Sequence, residues 1–172
     1  MSIDPADFTS ILGAAPDPAT AAHLAELRTR LADARHHPSV IALTALQPPA
    51  LHAQFSQRII EAAGGRPALD DGDVVNTWDD VAWVQPEMLV LALPSLSLDD
   101  AIAAFVKIAD LAVWRDLPAT YLNQIYIVDI GTQPIDAIEM LAGLLHPDRC
   151  TPPTVERARR VSPLVRVELR NS

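Results

Sequence analysis

Apolar positions along this chain fall into two alternating patterns, short unbroken runs and stripes at helical spacing. The unbroken runs are Val40-Ile41-Ala42-Leu43, Met88 to Leu93, and Ile125 to Val128. Runs of that length without polar interruption are what strands covered on both faces require. Between them lie helical stripes. Leu24, Leu27, Leu31 and Ala34 define a helix over Pro18–Arg35, with Glu26 four residues before Arg30. Phe55, Ile59, Ile60 and Ala63 define one over Ala53–Ala63, stopped by Gly64-Gly65. Thr77 ahead of Asp79 and Asp80 reads as a capped helix start. Ser97 opens the longest helix, whose stripe is Ile102, Phe105, Ile108, Ala109 and Ala112. Ile135 to Leu145 forms the last, halted at His146-Pro147. A short helical turn is expected from Pro5, and Val161 to Leu169 reads either as an edge strand or as a loose end.

Strand and helix thus alternate, which predicts βαβ units: an α/β, three-layer Rossmann-like sandwich with a mostly parallel central sheet and helices on both faces. A chain of 172 residues is one ordinary domain with room for a real core. Three segments are expected: a helical one at 1–37, an α/β lobe at 38–147 and an arginine-bearing tail at 148–172.

Charge narrows the function classes. The net charge of −9 excludes a general nucleic-acid binder, which needs clustered lysine and arginine. The tail runs against this balance with Arg149, Arg157, Arg159, Arg160, Arg166 and Arg170. Two readings are open for it, docking on an acidic surface or simple solvation. Cys150 is the single cysteine, so there is no disulfide framework. The acidic start Met-Ser-Ile-Asp-Pro lacks the features of a signal peptide, and no apolar run is long enough for membrane insertion. The expected location is cytoplasmic, or periplasmic if the chain is trimmed from a secreted parent.

Ligands of open α/β sheets collect beyond the carboxyl ends of the strands. The loops at those ends supply Gln47, Pro48, His52, Ser95, Thr132 and Gln133 as candidate ligand-binding residues. Among the residues read at those ends, Ala45 to Pro49, Pro94 to Leu96 and Ile130 to Gln133, no strong acid, base or nucleophile stands, which argues against an enzyme and leaves no catalytic candidate. No phosphate loop, nucleophile elbow or zinc-binding pair is present. His36 and His37 are adjacent and would diverge on a helix, so they, with His52, are read as structural or surface residues, and no metal site is assigned. Asp70, Asp71 and Asp73 lack the spacing of a calcium loop and read as an acidic turn. His146 reads as a cation at a helix end. Trp78, Trp83 and Trp114 are expected to pack in or against the core.

The order of several segments resembles the second lobe of cobalamin-binding-protein-like members of the helical-backbone group of ABC-importer substrate-binding proteins. Ser2-Ile3-Asp4-Pro5 is similar to the segment following the first lobe, and Leu24 to Arg35 to the distal part of the long backbone helix. Pro48-Pro49 resembles the double proline after the second lobe's first strand, and Ile59 to Gly65 its Ala-Gly-Gly helix end. Thr77-Trp78-Asp79-Asp80-Val81 resembles Ser-Trp-Glu-Glu-Val, and Pro86 to Leu91 the Pro-Asp-x-Ile-x-Val strand. The stretch from Trp114 through Tyr126, Ile138, Leu141 and His146-Pro147 resembles the close of that lobe.

The resemblance implies a lobe that closes one side of a cleft over a corrinoid or metal chelate, without the first lobe. Residues 1–37 then correspond to the end of the interlobe helix. It also places Asp79 at the position of a glutamate that docks on the permease; a helix-start carboxylate favoured by the dipole explains Asp79 without any permease and is the favoured reading. Two positions depart from the pattern. Ala45 stands where a tryptophan is frequent, and the long ligand loop is reduced to about Gly131-Thr132-Gln133-Pro134.

On these departures, the sequence favours a non-enzymatic interaction or scaffold protein that uses the former cleft face to bind a second copy or another protein, with no cofactor. Asp79, Arg157, Arg159 and Arg160 are the candidate docking residues. The alternative is a binding module for cobalamin, an iron chelate or a haem-like tetrapyrrole.

Overall fold

The computed structural model describes residues 17–163 apart from 54, 56, 71 and 132. The expected turn at Pro5, the Ser2–Pro5 motif and Thr132 lie outside the described residues, as does most of the 161–169 segment.

Three parallel strands form the centre of one sheet: β1 (Ser39–Leu46), β4 (Met88–Leu91) and β5 (Ile125–Val128). Their register pairs Val40 with Met88 and Leu43 with Leu91, then Leu89 with Ile125 and Leu91 with Ile127. The outer edge of β1 is shared. Its upper half pairs antiparallel with β2 (Pro49–Leu51) and its lower half parallel with β3 (Arg66–Pro67). At the opposite edge β6 (Ala158–Val161) runs antiparallel to β5, giving the order β2-β1-β4-β5-β6.

The unbroken apolar runs have a direct cause: successive side chains enter different cores. Val40, Ala42, Met88, Val90, Tyr126 and Val128 face one layer, made of α1 (Pro18–Leu31), α2 (Gln57–Ala62) and α6 (Pro134–Leu145). Ile41, Leu43, Leu89, Leu91, Ile125 and Ile127 face the other. That layer holds α3 (Trp78–Trp83), α4 (Leu98–Ile108), a 3-10 turn at Ala112–Arg115 and α5 (Pro118–Tyr121). The fold is therefore the expected α/β sandwich with a mostly parallel sheet.

Local chemistry sets the helix ends. The Asp17 carboxylate accepts from the Ala19 and Thr20 N–H groups at 2.9 and 3.1 Å, and Pro18 occupies the first helical position. Helix α1 stops at Leu31 rather than Arg35, and the Arg149 guanidinium donates to the Arg30 and Asp33 carbonyls at that end, each at 3.0 Å. A cation there satisfies orphan carbonyls and suits the negative end of the dipole. Helix α2 begins only at Gln57, after the chain turns at Phe55. At Gly64, φ is +83°, the left-handed stop that Gly64-Gly65 predicts.

Two expectations need correction. The helix end at His146 is not open: the ring is 6% exposed, and its Nε2 lies 3.0 Å from the Gly64 carbonyl. His37 Nδ1 reaches the same oxygen at 2.8 Å. Trp83 does not pack, being 87% exposed. An edge strand forms at Ala158–Val161, its antiparallel register with β5 starting beside the Asp129 N–H, which donates to the Arg157 carbonyl at 2.7 Å. No helix among the described residues is long and apolar enough to cross a membrane.

Candidate functional site

The carboxyl ends of β1, β4 and β5 open into a cleft of about 500 Å³. Each wall follows from how one strand ends. Beyond β1 the chain reverses through Gln47-Pro48 into β2 and returns to His52, whose N–H donates to the Ala42 carbonyl at 3.0 Å. Trp78 braces the end of β1 from below: its indole N–H donates to the Leu46 carbonyl at 3.0 Å and its ring lies 4.7 Å from that of buried Trp114. Beyond β4, the Ala92 N–H still pairs with the Leu43 carbonyl, and Leu93, Pro94 and Leu96 turn into α4. The Ser97 hydroxyl caps α4 by accepting from the Asp100 N–H. Beyond β5 come Asp129, Ile130 and Gly131, then α6.

The lining is chiefly apolar: Leu51, Leu93, Leu96, Leu98, Ile127 and Ile130 contribute, with Thr44, His52 and Asp129 as its polar side chains. Among the described residues, no lysine or arginine lines it. His52 is half-buried, and burial pushes its imidazole below the ordinary value of 6.5, so the ring is neutral at pH 7. Phe55 meets it edge-on with ring centres 5.2 Å apart. His52 also walls a smaller hollow of about 240 Å³ toward Phe55, Leu69, Asp70 and Asp73.

Gly131 is dictated by its neighbour. A Cβ built there would lie 1.9 Å from Asp136 Oδ2. That carboxylate folds back over the loop and accepts from the Gln133 N–H at 3.3 Å, at the start of α6.

Of the residues named from sequence as ligand-binding, His52 lines the cleft. Gln47 and Pro48 sit exposed at the hairpin tip, outside the lining. Ser95 is exposed on the turn between Pro94 and Leu96, which do line it. Gln133 is exposed at the start of α6. Thr44, Leu51, Leu98 and Asp129 were missed. Thr44 and Asp129 were visible as the polar residues at the ends of two apolar runs; the leucines carried no distinguishing signal.

The docking candidates are scattered. Asp79 is exposed on α3, while its neighbour Asp80 forms the capping box with Thr77. Hydrogen bonds from the Asn76 N–H and from Thr77 hold the Asp80 carboxyl below its usual range. Arg159 donates to Asp99 at 2.8 Å, tying β6 to the first turn of α4. Arg160 donates to the Tyr126 hydroxyl at 2.9 Å across the β5–β6 pair. Arg157 lies away from both, lining a hollow of about 280 Å³ with His23, Glu139 and Cys150 beside α1. Burial raises the Cys150 thiol. Among the described residues, no three His, Cys, Asp or Glu side chains group as metal ligands.

No family model and no curated protein sequence matches this chain. Solved structures do. A periplasmic heme-binding protein from Pseudomonas aeruginosa superposes with a TM-score of 0.60 at 16% identity, over 92% of this chain and 63% of its own length. S. aureus IsdE complexed with heme gives 0.57 at 13% identity, over 83% of this chain and 62% of that one. The periplasmic vitamin B12 binding protein BtuF of Vibrio cholerae gives 0.53 at 20% identity, over 75% and 53%. This chain has the fold of one lobe of such receptors. It spans between half and two-thirds of the length of these three structures, and its cleft lies on the side where an open α/β sheet gathers ligands.

Proposed function

We propose that this chain is a non-enzymatic binding lobe for a tetrapyrrole, haem or a corrinoid. The observation that carries this reading is the cleft beyond β1, β4 and β5. It is broad and chiefly apolar, has no basic side chain among the described residues that line it, and has one neutral imidazole in its wall. A flat macrocycle with an apolar face gains most from such a surface. A compact anionic chelate would find no cation there to offset its desolvation. The fold neighbours that bind heme and vitamin B12 support the same reading. Together these observations favour ligand binding over the scaffold reading, which rested on Ala45 and the shortened loop.

The test is an absorption titration of the purified protein with haemin and with cyanocobalamin. A saturable band shift at equimolar ligand is expected for at least one of them. Unchanged spectra with both would overturn the reading.

A further inference from the structure

Away from the cleft, the hollow of about 280 Å³ between α1, α6 and the segment after Pro147 joins an apolar lining to positive charge. We propose that it binds a small monocarboxylate with a short apolar body, and that the Arg157 guanidinium takes the carboxylate. Leu27, Met140 and Cys150 line the hollow and are each less than a tenth exposed. Pro152 and Pro153 add a wall whose backbone is stiff. The titratable side chains of the rim are His23, Arg30, Glu139 and Arg157. Three of them are engaged. His23 Nε2 lies 2.5 Å from Glu139 Oε1, joining α1 to α6, and Arg30 pairs with Glu26 one turn before it at 2.5 Å. Among the described residues, no hydrogen bond or ion pair engages the Arg157 guanidinium.

Each part of the ligand answers to a part of the hollow. A guanidinium donates two parallel N–H bonds to a carboxylate. Glu139 in the same wall limits the charge, because its carboxylate repels a second negative group and so disfavours a phosphate or a dicarboxylate. The body must be apolar to gain from leaving water against Leu27, Met140 and Cys150. It must also be short, since the volume falls below the roughly 300–1,000 Å³ of pockets for drug-sized ligands. The walls stand ready before any ligand arrives. The Arg157 N–H donates to the Thr154 carbonyl at 2.9 Å, and its own carbonyl accepts from the Asp129 N–H at 2.7 Å. The Thr151 carbonyl packs on Gly143, and Arg149 ties the same segment to α1. A site fixed in this way spares the ligand the cost of ordering it.

The experiment titrates the full chain, labelled with carbon-13 at its methionine methyl groups, with hexanoate. Met140 lines the hollow, Met88 lies in the core outside it, and neither lines the cleft. The signal lost in Met140→Leu assigns the reporter. Hexanoate should shift the Met140 signal saturably and leave that of Met88 in place. Acetate, which lacks the body, should bind more weakly, and hexanamide, which lacks the charge, about threefold more weakly or worse. Arg157 is exposed, so Arg157→Gln spares the core. That variant should lose about threefold or more in hexanoate affinity and bind hexanamide as the wild type does. A Met140 signal that hexanoate leaves in place would overturn the proposal. So would equal affinity for hexanoate and hexanamide, or an unchanged hexanoate titration in Arg157→Gln. None of these outcomes bears on the haemin and cyanocobalamin titrations, which read the cleft.

Discussion

Single residues in this lobe carry constraints that reach the cleft. Replacing Gly131 by alanine would drive a methyl group into the Asp136 carboxylate and to within 2.9 Å of its Cβ. The acid would have to leave the Gln133 N–H, opening the start of α6. Gly131→Ala is therefore expected to cost about 1–2 kcal/mol, the usual range for a lost cap, read from the urea midpoint. Gly72, with open space around it, is not expected to clash on the same substitution, although its φ of +94° adds backbone strain.

His52 gives a pH-dependent prediction at the same scale. Burial holds its folded-state value below 6.5, so the unfolded chain binds the proton more readily. Stability should then rise with pH through the interval below 6.5 and level off above it. Subtracting the profile of His52→Gln from that of the wild type should isolate this rise. A flat difference would mean that the ring is not desolvated.

At the scale of elements, the three central strands and most helices were legible because each satisfied two rules at once. Val40 to Leu43 and Met88 to Leu91 are apolar at every position since each face of the sheet has its own helical layer. Gly64-Gly65 ended α2 where a left-handed residue was needed. What sequence hid were elements fixed by distant partners. Ala158-Arg159-Arg160-Val161 has no buried stripe, and it is a strand because β5 offers an open edge and because Asp99 and Tyr126 receive its arginines. The cleft was hidden for a similar reason. Its walls come from Thr44, Leu93 and Asp129, nearly fifty and then nearly forty positions apart, and only the parallel register aligns them.

The end of α1 depends on a remote residue in the same way. Arg149, more than a hundred positions downstream, donates to the Arg30 carbonyl in its last turn and to the Asp33 carbonyl just beyond it. Arg149→Ala should leave those carbonyls to water and cost on the order of 1–2 kcal/mol. Faster amide exchange in the last turn of α1, without change in β4, would identify the cause. Arg149→Lys, a point charge without the two-pronged geometry, should recover only part of the loss.

For the whole molecule, the question is whether residues beyond Pro147 are an appendage or part of the lobe. Gly143 in α6 approaches the Thr151 carbonyl so closely that a Cβ would sit 2.4 Å from it. Arg149 holds α1, Cys150 is buried in the α1–α6 layer, and β6 closes the edge of β5. The Asp129 N–H, at the rim of the cleft, takes its partner from Arg157. Deleting everything after Pro147 thus removes a cap, a strand and a rim anchor together, and bares a buried sheet edge prone to pairing with other chains. The loss should amount to several kcal/mol, a large share of the ~5–15 kcal/mol that holds a domain together. The truncated chain is expected to unfold at much lower urea or to aggregate, and to lose haemin binding even where it stays folded. A truncated chain with the wild-type urea midpoint and unaltered haemin titration would show that the lobe ends at Pro147 and that the arginine-bearing segment merely rests against it.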